Sequence, residues 1–143
     1  MTDEIHKILS ANDVGETGGH QAGILVPKNG ELLAFFPSLD KAVMNPRMTL
    51  VMREKEDDTR WEFNFIYYNN RLFKAGTRNE YRLTVMTKYL RSANAKTGDT
   101  LIFVKDEDAS YKIELKRTSK KDDLLNTDGA LVLSGGWTVI NRI

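Results

Sequence analysis

TRWEFNFIYY, residues 59–68, sets Trp61, Phe63, Phe65 and Tyr67 on one side of an extended chain and Arg60, Glu62, Asn64 and Ile66 on the other. That period of two belongs to a strand with one face buried. YKIELKR (111–117) repeats it, with Tyr111, Ile113 and Leu115 against Lys112, Glu114 and Lys116. GILVP (23–27), MTLVM (48–52), TLIFV (100–104), ALVLS (130–134) and WTVI (137–140) are short apolar runs bounded by turn residues, which are further strand signals. The expected fold is therefore mainly β, with about seven strands in a sandwich or barrel-like sheet. Two short helices are expected beside it. One starts at Asn29 and stops before Pro37; the other runs from Thr87 and ends before the turn at Lys96–Asp99.

The chain has 143 residues, is 41% hydrophobic and 29% charged, and contains no cysteine. A single domain over residues 1–143 with one sizeable core fits that length, and disulfides and thiolate metal sites are excluded. The first residues, MTDEIHKIL, hold no apolar run long enough for a signal peptide or membrane span, so a cytoplasmic location and no membrane partner are expected.

Net charge is +1, but its distribution is uneven. From Arg60 to Arg91 there are seven cations and two anions, 7 − 2 = +5, while acids gather at 54–58, 106–108 and 122–123. A basic segment in a near-neutral chain suits a polyanion; the alternative is a solvated charged face. Within it, GTRNEYR (76–82) crowds Arg78, Asn79, Glu80 and Arg82 around Thr77 and Tyr81 with no apolar side. Arg suits guanine, Asn adenine and Glu cytosine. SANDVGETGGHQ (10–21) is the other polar stretch, glycine-rich enough for a surface loop that approaches a partner closely.

Chemistry for catalysis is sparse. His6 and His20 are the only histidines, too few for a histidine-based metal cluster. No glycine-flanked serine elbow partners His20, and GETGG lacks the Lys-Ser/Thr ending of a phosphate-binding loop. Glu114 and Lys116 form a Glu-x-Lys fragment of the kind found in metal-dependent nucleases. Asp106 and Asp108 are the acids available to it, yet strand alternation alone explains both residues as solvent-facing.

LSANDVGETGGHQAGILVP (9–27) strongly resembles the start of the N-terminal effector domain of EcoRII-type restriction endonucleases. FFPSL, Asn45–Pro46, YYNNR, TRNEYR and TGDTLIF follow in the same order, and the GlyAsp-then-apolar pattern at 98–104 is similar to plant B3 DNA-binding domains. The resemblance runs from about Leu9 to Phe103. It departs from the pattern it resembles at Tyr81, where the relative has a lysine, at Leu25, where the relative has a tyrosine, and by one extra residue in FKAGT.

The resemblance implies a B3-like pseudobarrel that grips double-stranded DNA in the major groove with two arms. It also implies reading of a short CCWGG-type palindrome and control of a separate nuclease domain of the same polypeptide, in a prokaryotic cell. The first arm would carry Ser10, Asn12, Asp13, Thr17, Gly18, Gly19, His20 and Gln21. The second would carry Arg71, Lys74, Thr77, Arg78, Asn79, Glu80, Tyr81 and Arg82. Arg71 and Lys74 suit phosphates better than bases, and His20 suits either DNA or its own loop. No cofactor is expected for this domain; Mg2+ belongs to the separate nuclease domain. Trp61, Tyr67, Tyr68 and Trp137 read as core or shoulder residues. Two rival functions stay open: a small nuclease on Glu114 and Lys116, and a shape-only binder, possibly of single strands.

Overall fold

The computed structural model describes residues 3–15, 23–118 and 131–140. Nine strands run in the order β1 (Asp3–Ile8), β2 (Ile24–Val26), β3 (Arg47–Glu54), β4 (Arg60–Tyr68), β5 (Glu80–Thr84), β6 (Thr100–Lys105), β7 (Tyr111–Lys116), β8 (Leu131–Val132) and β9 (Trp137–Ile140). They form one sheet in the spatial order β2-β5-β4-β3-β7-β6-β1-β9-β8. Every pairing is antiparallel except β3 with β7, where Met52–Glu54 lie beside Tyr111–Ile113.

The alternating stretch behaves as its period demands. Phe63, Phe65 and Tyr67 of β4 are buried and pair with Leu50, Met48 and, across β5, Leu83 and Tyr81. Aromatic rings then stack through the core from Phe36 to Phe65 (4.5 Å), from Phe65 to Tyr81 (5.6 Å) and from Tyr81 to Tyr67 (4.3 Å). Offset stacking of this kind adds about 0.5–1.5 kcal/mol per pair beyond the area buried.

The sheet curls until its ends meet. Trp137 of β9, fully buried, donates its indole N–H to the Leu25 carbonyl of β2 at 2.9 Å. Two short helices accompany the sheet. In α1 (Gly30–Leu33), the Asn29 side chain accepts from the amides of Glu31 and Leu32, the N-cap its sequence implies. In α2 (Thr87–Ser92), Tyr89 and Leu90 are buried.

Each of the seven expected runs contains a strand, and two strands were not anticipated. β1 lies between β6 and β9, yet its alternation is hidden because His6 and Lys7 are both buried. β5 is hidden because charged residues alternate with only two apolar ones. Tyr81 and Leu83 nevertheless face the core, so the C-terminal part of GTRNEYR does have an apolar side, contrary to expectation.

Candidate nucleic-acid interface

The loops expected to be arms are rooted at opposite ends of β5. The loop 69–79 leads into its first residue and is closed by the Tyr68–Glu80 pair. The loop after β1 returns into β2, whose Ile24 pairs with Leu83 near the other end. Five residues of β5 at about 3.4 Å each separate the two roots by roughly 15 Å.

The second root is held by Asn69, which is fully buried. Its side-chain oxygen accepts from the Asn45 amide at 2.7 Å and its own amide donates to the Asn45 side chain at 3.1 Å. Its Nδ2 donates to the Val43 carbonyl at 2.9 Å. This reciprocal clasp fixes the point where β4 ends and the arm departs. Beyond it, one 3-10 turn, Asn70–Phe73, is closed by Lys74 in the left-handed region (φ 56°). Arg71 N–H donates to the Arg78 carbonyl at 3.0 Å across the arm.

At the foot of that arm the polar side chains order one another. Glu80 accepts from Arg78 Nε at 3.0 Å and from Arg82 Nε at 3.1 Å. Partial burial alone would push the Glu80 carboxyl up; the Arg78 hydrogen bond and the Arg82 and Arg78 charges outweigh it and hold its pKa below the usual carboxylate range. The Arg78 guanidinium lies 3.7 Å over the Tyr68 ring, a stacked cation–π arrangement. Arg82 continues the chain through Nη1 to the Gly23 carbonyl at 3.1 Å, the first described residue after the first arm. A continuous line of polar contacts thus joins the two roots. Asn79 accepts at Oδ1 from the Tyr67 hydroxyl at 2.5 Å.

The first arm is anchored by Lys7. Its buried ammonium lies 3.3 Å from Asp13 Oδ2 and donates to the Gly135 carbonyl. Ser10 and Asp13 bond reciprocally, each backbone amide to the other's side chain, at 2.9 and 3.2 Å. Gly23 closes the loop at φ +87°, where an added Cβ would sit 2.5 Å from the Leu83 carbonyl oxygen.

Several expected contact residues are therefore placed differently from one another. Arg71, Lys74 and Thr77 are exposed, and Arg78, Asn79, Glu80 and Arg82 are half-buried in the network. Tyr81, expected among the contact residues, has its ring turned into the core between Phe65 and Tyr67. Asp13 is likewise turned inward to Lys7, while Ser10 and Asn12 are exposed. Thr17, Gly18, Gly19, His20 and Gln21 lie outside the described residues. Lys7 was not singled out from the sequence, Asn45 entered only through the Asn45–Pro46 step of the resemblance, and Asn69 only through the Asn-Asn pair of YYNNR, read there as a turn.

The residues proposed for a nuclease are differently engaged. The Glu114 carboxylate lies between Lys55 (3.5 Å) and Lys116 (3.9 Å), and Asp106 faces Lys112 at 3.8 Å. Among the described residues no three acidic or imidazole groups converge to hold a metal. None of their helices is long and apolar enough to cross a membrane.

A curled sheet with two arms at one strand's ends is the fold of B3 DNA-binding domains. The B3 domain of the UbaLAI restriction endonuclease, solved with cognate DNA, superposes with a TM-score of 0.62 over 97% of this chain and 86% of that one, at 22% identity. The Arabidopsis FUS3–DNA complex superposes at 0.59 over 78% of this chain and 94% of that one, at 18% identity. Residues 3–134 match the family model described as restriction endonuclease EcoRII, N-terminal, and the chain belongs to that family. It is 44% identical over 80 residues to the type II restriction enzyme EcoRII of Escherichia coli, which covers 54% of this chain and 19% of the enzyme. The chain thus spans about a fifth of that relative's length.

Proposed function

We propose that this chain is a sequence-specific reader of double-stranded DNA, a single domain over residues 1–143 that targets or regulates a nuclease domain of the same polypeptide in the cytoplasm of a prokaryote. The family membership supports the restriction-enzyme setting, and the DNA-bound relatives support a duplex as the ligand. The observation that carries the reading is the Arg78–Glu80–Arg82–Gly23 line between the two arm roots. A carboxylate amid cations opposes binding to a polyanion unless it orders the groups that bind.

The engaged atoms divide the labour. Arg78 spends Nε on Glu80 and its face on Tyr68, which leaves its terminal nitrogens for a bidentate contact to guanine O6 and N7. Arg82, tied at both Nε and Nη1, serves mainly as the strut. Asn79, its oxygen held by Tyr67, offers its Nδ2 donors to a base acceptor. Arg71 and Lys74, exposed and without an ion-pair partner among the described residues, take phosphates. The site is a short CCWGG-type palindrome entered from the major groove, and the domain brings no catalytic residues of its own.

Selection of bound sequences from a random duplex pool tests this. Enrichment of one short palindrome is expected, and recovery of no common sequence would overturn it. Competition with single strands separates it from shape-only binding. Incubation with plasmid and Mg2+ separates it from a nuclease: cleavage abolished by Glu114→Ala would install the rival reading.

A further inference from the structure

We propose that the exposed tip of the second arm, Leu72 and Phe73, reads the 5-methyl group of thymine, which makes both residues specificity determinants. The proposal rests on the DNA-reading function above and deepens it. Leu72 is 56% and Phe73 42% exposed, and they stand side by side on the 3-10 turn Asn70–Phe73. The backbone presenting them is tied down: Leu72 N–H donates to the Asn69 carbonyl at 2.9 Å and Ala75 N–H to the Asn70 carbonyl at 3.0 Å. Asn69, in turn, is clasped to Asn45. Two large apolar side chains are thus exposed to water on a backbone turn tied at both ends.

Their surroundings decide what covers them. Arg71 and Lys74 flank the pair in sequence, are exposed, and make no ion pair among the described residues. A partner matching this surface must be anionic around an apolar spot. The major groove meets that description, because thymine's C5 methyl is the apolar feature in a groove bordered by phosphates. A protein partner fits less well. Even counting exposed Val43 and Met44 on the loop that Asn69 holds, four side chains fall short of the roughly 800 Å² per partner of a stable interface, and the cationic rim would have to be matched as well.

The test uses the whole chain and a duplex of about 20 base pairs carrying one CCWGG-type site, made either with thymine or with uracil at every thymine position. Uracil lacks only the methyl. A buried methyl is worth about 0.8 kcal/mol, so the wild type is expected to bind the uracil duplex about 4-fold more weakly. The doubly substituted Leu72→Ala, Phe73→Ala chain should bind both duplexes alike, near the wild-type affinity for uracil, with its thermal midpoint unchanged because both side chains lie outside the core. Equal wild-type affinity for the two duplexes would overturn the proposal while leaving the DNA-reading function standing. So would a variant that keeps the wild-type thymine-to-uracil ratio, or a wild-type dimer that the variant dissolves, which would make the tip a self-association face. Failure of the wild type to bind any duplex would instead remove the function on which the proposal rests.

Discussion

The Tyr67 hydroxyl donates to Asn79 Oδ1 at 2.5 Å, so a ring stacked in the core aims an amide in the arm. With its oxygen engaged, Asn79 keeps Nδ2 for a partner, and the ring stack supports the candidate interface although its four rings are buried.

Tyr67→Phe should leave the ring stack and the fold intact, with a stability loss of about 0.5–1.5 kcal/mol for the one hydrogen bond. Binding to the selected sequence should fall by about 1 kcal/mol or more as Asn79 loses its orientation, while binding to random duplex stays level. Titrations against both duplexes decide it, and an equal loss on both would sink the idea.

Glu80 and Arg71 should separate specificity from charge. Glu80→Ala and Glu80→Gln should lose about 1–3 kcal/mol of discrimination while random-duplex affinity holds or rises. Arg71→Ala should weaken both together and flatten the salt dependence by about one phosphate contact. The wild-type log–log salt slope should lie near −4 to −5 if about five phosphates are neutralised.

The Glu80 network also predicts a pH profile. Its folded pKa is depressed, so the order it contributes is fully present above the ordinary carboxylate pKa and is lost only as pH falls through the lower, folded value. Specific binding should therefore be insensitive to Glu80 between about pH 6 and 8. A fall of wild-type discrimination to the level of Glu80→Gln on going from pH 8 to pH 6 would contradict the assignment.

Asp99 should matter for stability alone. Buried, it accepts from Lys96 N–H at 2.9 Å, from Thr118 N–H at 3.0 Å and from the Thr118 hydroxyl at 2.9 Å, with Arg117 Nη1 at 3.4 Å. Burial raises its carboxyl, but these donors together hold its pKa below the usual range. Asp99→Ala should cost about 3 kcal/mol by leaving the donors unmet. The gap between wild type and variant should narrow as acidification protonates the folded carboxyl, since a depressed pKa stabilises only above it. Urea denaturation across pH reads both.

Gly23→Ala should cost about 1–3 kcal/mol, because an added Cβ meets the Leu83 carbonyl at 2.5 Å with φ at +87°. Its effect on specific binding should exceed its effect on random binding, since the Gly23 carbonyl also seats Arg82.

Much of the barrel was legible because its strands announce themselves by alternation, and TRWEFNFIYY gives the clearest case. β1 escaped for the opposite reason. Lys7 is buried by an ion pair with a residue six positions on, and no periodicity reports a pairing made in space. Arg78, Glu80 and Arg82 could be picked out as groups with donor and acceptor shape, but not the tie from Arg82 to Gly23, which depends on β2 lying beside β5. The inward turn of Tyr81 was not legible because Glu80 and Arg82 beside it are polar; only the pairing with Tyr67 shows it. The Asn45–Asn69 clasp joins residues 24 apart, and two asparagines in turns carry no mark that they will meet.

The Trp137 seam has a consequence for how the molecule comes into being. Its indole reaches Leu25 across 112 positions of chain, and β9 also supplies one side of β1. A nascent chain emerging at about 5–20 residues per second would expose the first arm for several seconds with its root incomplete, while the Asn45–Asn69 clasp already holds the second. The Lys7 ammonium, too, waits for the Gly135 carbonyl. A grip that uses both arms would then wait for the closing strand of the domain and not for the loops that do the holding.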